Sequence, residues 1–305
     1  MAAIEDLTDL RIFERIVARG TLSAAARELG LSLAVVSKRL SELERRLETR
    51  LLHRSTRRLS MTGEGALFHG HCLRVLDEAE AAEAALLGRQ RRVAGTLRIS
   101  APHSLGRRQV APALAEFART HPGLDVRLSL SDDLVDLVAG GFDLAVRYGV
   151  LADSRLVARR LAPNRRVLVA APAYVERRGL PARLEDLQAH DCILIGQSPN
   201  AQWGFGRAQR PVQVRVRGAF VCNDGEGAHA LALEGAGIAL KSIWDVGDDL
   251  ESGRLVQVLS AHAESAAPLH AVYPQGRQQA PRVRLFVQQL ARRLQAAWRW
   301  GPPAR

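Results

Sequence analysis

The chain has 305 residues, 47% of them hydrophobic and 25% charged, so it can bury more than one core and is not disordered. A formal net charge of +11 favours polyanionic partners, nucleic acid first. Three scattered cysteines, Cys72, Cys192 and Cys222, exclude a disulfide framework and show no metal-ligand spacing. No apolar run approaches a membrane span and no signal peptide opens the chain, so the sequence reads as cytoplasmic, with no metal and no membrane partner.

Leu7, Leu10, Phe13 and Val17, with Ile12 and Ile16 beside them, recur at helical spacing, and Gly20 ends that first helix. Thr21 or Ser23 caps a second, Ala24 to Leu29, rich in small residues. Gly30 supplies the turn, and Ser32 caps a third helix running to about Glu48. In the third helix Val36, Leu40, Leu43 and Leu47 form a core stripe. Leu33, Ala34, Ser37, Lys38 and Ser41 fall largely off it, as small and polar groups facing a major groove would. Ser32 and its turn give a helix N-terminus, which favours phosphate. A basic run follows, Arg50, His53, Arg54, Arg57 and Arg58, with no acidic residue between Glu48 and Glu64. Leu51, Leu52, Leu59 and Met61 alternate there as in a small β-wing, whose arginines would meet phosphate or the minor groove.

Phe68, Cys72, Val75, Ala79, Ala82 and Leu86 then step by four and three residues, a heptad seam suited to pairing with a second copy. An amphipathic helix packed on its own chain is the alternative. Cys72 lies on the seam and reads as a small core residue rather than a redox sensor. The stretch QRRVAG, Gln90 to Gly95, reads as a hinge.

From Thr96 strands and helices alternate. TLRISA, DVRLSLS and FDLAVRYG read as strands, Leu105 to Thr120 as a helix, and DDLVDLVAG as a helix capped at Asp132 or Ser131. A second set starts at Arg165. It runs through a helix from Pro172 to Arg178, the strand CILI, a strand pair near Val212 to Cys222 and the helix GEGAHALALEG. The strand GIAL, a helix near Trp244 to Glu251, the strands LVQVL and LHAVYP and a last helix, Pro281 to Trp298, complete it. Two α/β subdomains joined by crossing strands enclose a cleft, where ligands meet strand ends and helix N-termini.

The run FERIVARGTLSAAARELGLSLAVVSKRLSELERRLETRLLHRSTRRLSMTGEG resembles the LysR-type transcriptional regulators. Ser37, the Leu43-Glu44 pair, Leu51-Leu52-His53-Arg54 and Thr62-Gly63-Glu64-Gly65 match the family pattern. Where many members carry Gln and Pro, this chain has Leu33 and Ala34, which removes a bidentate base reader. DLAVRYG and EGAGIALKSIWDVGDDLESGRLVQVL extend the likeness over nearly the whole chain. The resemblance implies a multi-domain protein: an N-terminal winged helix-turn-helix (all-α with a small β-wing) over 1–62, a long linker helix over 63–89 and a hinge over 90–95. Two α/β subdomains of periplasmic-binding-protein-like architecture follow over 96–305. Subdomain I spans 96–162 plus 269–305 and subdomain II 163–268, with crossovers near Leu161 to Arg165 and Ala267 to Leu269.

The function implied is a sequence-specific DNA-binding transcription regulator, modulated by a small-molecule effector and active as a homodimer or homotetramer. Double-stranded DNA would be met by Ser32, Leu33, Ala34, Ser37, Lys38, Ser41, Arg54, Arg57 and Arg58. Carried over by position, the effector would be met by His103, Ser104, Ser129, Ser131, Arg147, Tyr148, Gln197, Ser198, Asn223 and Asp224. Hydroxyls at a helix N-terminus near an Arg suit a small organic or aromatic acid; Asp224 would repel one unless Arg147 pairs with it. No cofactor is implied. A solute-binding protein of the periplasmic type is the alternative, and the basic N-terminal module counts against it. An enzyme is not expected: no GxSxG, Walker A, HExxH or GxGxxG stands in a convincing context, and His190-Asp191-Cys192 is contiguous, so its neighbours point to opposite faces of a strand.

Overall fold

The structure is a computed structural model that describes residues 4–54, 59–86, 93–149, 156–206, 212–260, 265–274 and 280–301. It opens with α1 (Leu7–Arg19), α2 (Leu22–Leu29) and α3 (Leu33–Arg46). Each has a side-chain cap: Asp6 accepts from Thr8 N, Thr21 from Ala24 N, and Ser32 from Val35 N. Gly20 and Gly30 close α1 and α2 at φ 70° and 65°, the left-handed region that glycine enters without strain. Leu10, Phe13, Ile16, Val36, Leu40 and Leu43 meet in one core.

The basic run folds as the hairpin β1 (Leu52–Arg54) and β2 (Leu59–Met61), paired antiparallel with His53 opposite Ser60. The Leu43-Glu44 pair explains its placement. Leu43 is core, while buried Glu44 accepts the N–H groups of Leu51 (2.9 Å) and Leu52 (3.3 Å), pinning the wing to the end of α3. The Thr62-x-x-Gly65 pattern has a similar cause. Thr62 Oγ1 donates to Arg50 O (2.7 Å) and accepts from Gly65 N (2.9 Å), and a Cβ at Gly65 would lie 1.9 Å from Leu51 O.

An unbroken α4 (Gly63–Leu86) follows. Its seam is divided. Phe68 and the fully buried Cys72 pack into the core of α1–α3, Phe68 at 5.6 Å from the Phe13 ring, whereas Val75 and Ala82 stay exposed. Burial pushes the Cys72 thiol up to about 12, which suits a packing residue and not a sensor.

The remaining elements are β3 (Ala94–Ala101), α5 (His103–Leu105), a π-helical turn (Gly106–Val110), α6 (Ala111–Thr120), β4 (Gly123–Leu130), β5 (Leu144–Tyr148) and β6 (Leu156–Ala162). Then come β7 (Arg165–Ala170), α7 (Pro172–Arg178), a 3-10 turn (Leu184–Ala189), β8 (Cys192–Ile195), β9 (Asn200–Phe205), β10 (Val212–Cys222) and α8 (Gly225–Leu233). Last are β11 (Ile238–Ser242), α9 (Ile243–Glu251), β12 (Val256–Val258), β13 (Ser265–Ala266), β14 (Leu269–Pro274) and α10 (Pro281–Ala297). One sheet runs β4-β3-β5-β14-β6, the other β12-β7-β11-β8-β10-β9 with β13 added to β7. Val167 to Ala170 of β7 are wholly buried, as in a strand covered on both faces. The chain passes from one sheet to the other between β6 and β7 and back between β13 and β14. Asn164 ties the two passages together, its N–H₂ donating to Ala267 O (2.8 Å) and its oxygen accepting from Ser242 Oγ (2.7 Å).

Three details depart from the sequence reading. No helix forms over DDLVDLVAG, where turns stand instead. Asp136 accepts from Val138 N and Ala139 N, a local bond that competes with helix, and Asp132 is engaged elsewhere. The partner of the Val212 strand is β9, with Val212 opposite Phe205 and Arg217 opposite Asn200. Gly204 and Gly206 disguised that strand. The single helix expected from Leu105 to Thr120 runs unbroken from His103, but Gly106–Val110 within it is π-helical, a kind of bulge common near functional sites.

Close packing divides the chain into two compact units, Met1–Arg98 with His121–Asp125 and Val135–Asp143, and Ile99–Thr120 with Val126–Leu134 and Leu144–Arg305. Among the described residues no helix is long and apolar enough to cross a membrane.

Candidate functional site

In the first unit the candidate surface is the start of α3. Ser32 to Val35 are exposed in succession, because the helix opens beyond the edge of its core. Leu33 is 50% exposed, and the Lys38 side chain is 77% exposed, with Glu42 3.9 Å away. Ser37 is half-buried. Ser41 Oγ donates back to Ser37 O (2.9 Å), so its proton is committed within the helix. The opposite face is anchored: Arg39 donates to Asp6 (2.8 Å) and Asp9 (2.9 Å), and Arg46 pairs with the buried Asp9. The helix is thus held rigidly while its first turn stays open. Arg54 ends β1 opposite Leu59; Arg57 and Arg58 lie outside the described residues.

In the second unit a cavity of about 440 Å³ opens between residues of the two sheets. Ser104, Asp132, Arg147 and Tyr148 line it from the five-stranded side; Arg166, Ile193, Trp203, Lys241 and Asp245 line it from the other. Arg147 is buried, and its guanidinium donates to Ser100 Oγ (2.8 Å) and to the carbonyls of Ser131 (3.3 Å), Asp133 (3.3 Å) and Val146 (3.4 Å). All four acceptors are neutral. Burial lowers the Arg147 pKa and the Asp132 charge partly offsets this. In the same wall the Ser104 hydroxyl is buried, with no hydrogen-bond partner among the described residues. Lys241, also buried, donates to Gly225 O (2.7 Å) and pairs with Asp245 (3.0 Å), whose other oxygen accepts from Tyr148 OH (3.0 Å). Burial, then the Asp245 charge, raises the Tyr148 pKa, keeping it a neutral donor. Asp132 bridges the N-termini of α5 and α8, accepting from His103 N (3.0 Å) and Gly225 N (2.6 Å).

Of the effector residues expected from the sequence, the fold brings Ser104, Arg147 and Tyr148 into the cavity wall. Ser129, Gln197, Ser198 and Asn223 are exposed outside it, Ser131 accepts from Asp133 N, and Asp224 caps α8 through Glu226 N. Asp224 therefore does not face the cavity, and the expected conflict with an anion comes from Asp132 and Asp245 instead. The donor atoms of His103, Asp132 and Asp224 lie within 4.8 Å of one another, where no metal-ligand spacing was legible, yet both carboxylates already serve backbone N–H groups. Asp132, Arg166, Lys241 and Asp245 were missed. Lys241 and Asp245 carried one usable signal: an i, i+4 ion pair flanking a Ser cap at the end of an apolar strand.

Two family descriptions match the chain: residues 7–66 match the bacterial regulatory helix-turn-helix protein, lysR family, and residues 90–295 the LysR substrate binding domain. The HTH-type transcriptional regulator DmlR of Escherichia coli is 39% identical over 284 residues, 92% of each chain. The HTH-type transcriptional activator TtdR of the same organism is 37% identical over 285 residues, 93% of this chain and 92% of its own. Among solved structures, CrgA, a LysR-type transcriptional regulator from Neisseria meningitidis, superposes with a TM-score of 0.61 at 30% identity, over 95% of this chain and 99% of that one. With both of its parts matched in order and its fold shared with full-length regulators, this chain belongs to the LysR-type family of DNA-binding transcription regulators.

Proposed function

We propose that the protein is a cytoplasmic regulator, not an enzyme, that grips its operator through the first turn of α3 and the wing, and that a small organic acid bound in the cavity controls it. Residues 1–62 are the DNA-binding part, 63–89 the linker helix that joins the copies of a homodimer or homotetramer, 90–95 the hinge and 96–305 the effector part, with 163–268 as its second subdomain. Ser32, Leu33, Ala34, Ser37 and Lys38 enter the major groove, with Arg54, Arg57 and Arg58 on the backbone or minor groove and Ser41 as a lone acceptor.

The observation that carries the effector reading is Arg147: a buried cation whose hydrogen bonds end on neutral acceptors, in a cavity wall that also holds the unpartnered buried hydroxyl of Ser104. A buried charge hydrogen-bonded to neutral groups and only partly offset by Asp132 is costly, and a carboxylate in the cavity relieves it while accepting from Ser104. Arg166 adds a second cation at the wall, and Lys241 is already matched by Asp245. The ligand shifts the regulator only through a differential affinity for two arrangements of the subdomains.

The test is thermal shift of the full chain against a panel of small mono- and dicarboxylates, their methyl esters, amines and sugars. Stabilisation by an acid, lost with its ester and lost in Arg147→Met, is expected. Hits confined to amines or sugars would overturn the reading.

A further inference from the structure

Isolated exposed apolar side chains are ordinary on protein surfaces. Leu33, 50% exposed, differs in its position. At 3.6 residues per turn, Leu33, Ala34, Ser37, Lys38 and Ser41 occupy one arc about 140° wide, off the stripe of Val36, Leu40 and Leu43. Leu33 and Ala34, at the front of that arc, carry no side-chain hydrogen-bonding group. The Ser41 hydroxyl proton goes to Ser37 O, and the Ser32 hydroxyl accepts from Val35 N. Lys38 supplies an exposed cation a full turn further on. Beyond the Ser32 cap the leading turn is apolar: a Leu side chain, the Ala34 methyl, and Val35, itself 41% exposed, at the flank.

In a major groove, the base-edge feature that rewards an apolar side chain is the C5 methyl of thymine. We infer that Leu33, with Ala34 beside it, reads thymine methyl groups in each half-site of the operator. The selection works in both directions. Contact with the methyl removes apolar surface from water, while a cytosine amino group or a guanine carbonyl set against Leu33 loses its water without gaining a partner. Specificity at these base pairs then rests on an apolar contact, with Ser37 and Lys38 supplying polar and electrostatic contacts further along. This inference rests on the assignment of the α3 first turn to the groove.

The experiment uses the full-length protein and a duplex that it selects from a random library. Synthetic versions replace thymine by uracil one position at a time, which deletes the methyl and leaves base pairing intact. The wild type should bind at least one uracil duplex per half-site about four-fold more weakly, the transfer free energy of one buried carbon. Leu33→Ala should bind thymine and uracil duplexes alike with an unchanged salt slope, and Leu33→Met, which keeps an apolar side chain in place, should retain the penalty. Indifference of the wild type to every uracil substitution would overturn the inference, as would a full uracil penalty surviving in Leu33→Ala. If neither Leu33→Ala nor Lys38→Ala changed the footprint or the salt slope, the groove assignment itself would fail, a result distinct from either.

Discussion

Glu28 accepts from Arg15 (2.9 Å) and pairs with Arg19, joining α2 to α1. The hydrogen bonds from Arg19 and then Arg15 hold its carboxyl at about 2, below the ordinary value of 4.5. Because the folded pKa lies below the unfolded one, this stabilisation is complete above about pH 4.5 and fades as pH falls toward 2. Glu28→Gln should melt below the wild type at neutral pH, and the gap between the two curves should close across that acid window. A constant gap from pH 7 to pH 2 would assign the effect to packing. The same scale shows what a sequence reveals about a site. Ser104, Arg147 and Tyr148 were legible because each ends a strand or opens the helix after one. Lys241 and Asp245 carried no expected role; they reach the cavity from the end of β11, paired antiparallel with β7, and from the first turn of α9.

At the scale of elements, α4 carries two kinds of stretch, one buried on its own chain and one exposed. Its first turns give Phe68 and Cys72 to the core of α1–α3, leaving Val75 and Ala82 exposed further along. Heptad spacing located both stretches, but periodicity does not say which partner covers a stripe, since core and dimer seam ask for the same side chains. Val75→Glu places a carboxylate on the stretch assigned to the second copy. We expect association to weaken by about two orders of magnitude, the desolvation of a charge on each copy, with the helix-turn-helix still folded. Sedimentation velocity against circular dichroism reads both, and an unaltered sedimentation profile would reject the seam. The helix wrongly expected over DDLVDLVAG teaches the converse. Its apolar spacing was helical, yet Asp136 bonds its own following N–H groups and prefers a turn.

Across the molecule, two strand passages join the sheets of the second unit, and Asn164 is where they are tied together. It is 3% exposed and bonds Ala267 O and Ser242 Oγ. Asn164→Ala takes the side-chain donor from the Ala267 carbonyl and the acceptor from the Ser242 hydroxyl proton, which costs about 1–3 kcal/mol in all. We expect a lower urea midpoint for the effector part and a weakened response to any acid that stabilises the wild type, while operator affinity without ligand changes little. Equal ligand response in both proteins would show that the joint is structural only. Trp244, which donates to Pro163 O (2.9 Å) and packs on Trp298 and Trp300, makes intrinsic fluorescence a natural probe of that joint.

By itself the sequence determined the order of the parts, the caps and turn of the helix-turn-helix, the linker helix and the alternating strands and helices beyond it. These are local matters: spacing, capping side chains and glycine conformation act within a few residues. The tertiary structure decided which stripe of α4 faces its own core, that Glu44 and Thr62 fasten the wing, that Asp132 and Asp245 rather than Asp224 set the charge of the cavity, and that Arg147 is buried among neutral acceptors. Those facts join residues up to about a hundred positions apart, such as Tyr148 and Asp245. Strand order and register fix such distant pairings, and no local propensity records them.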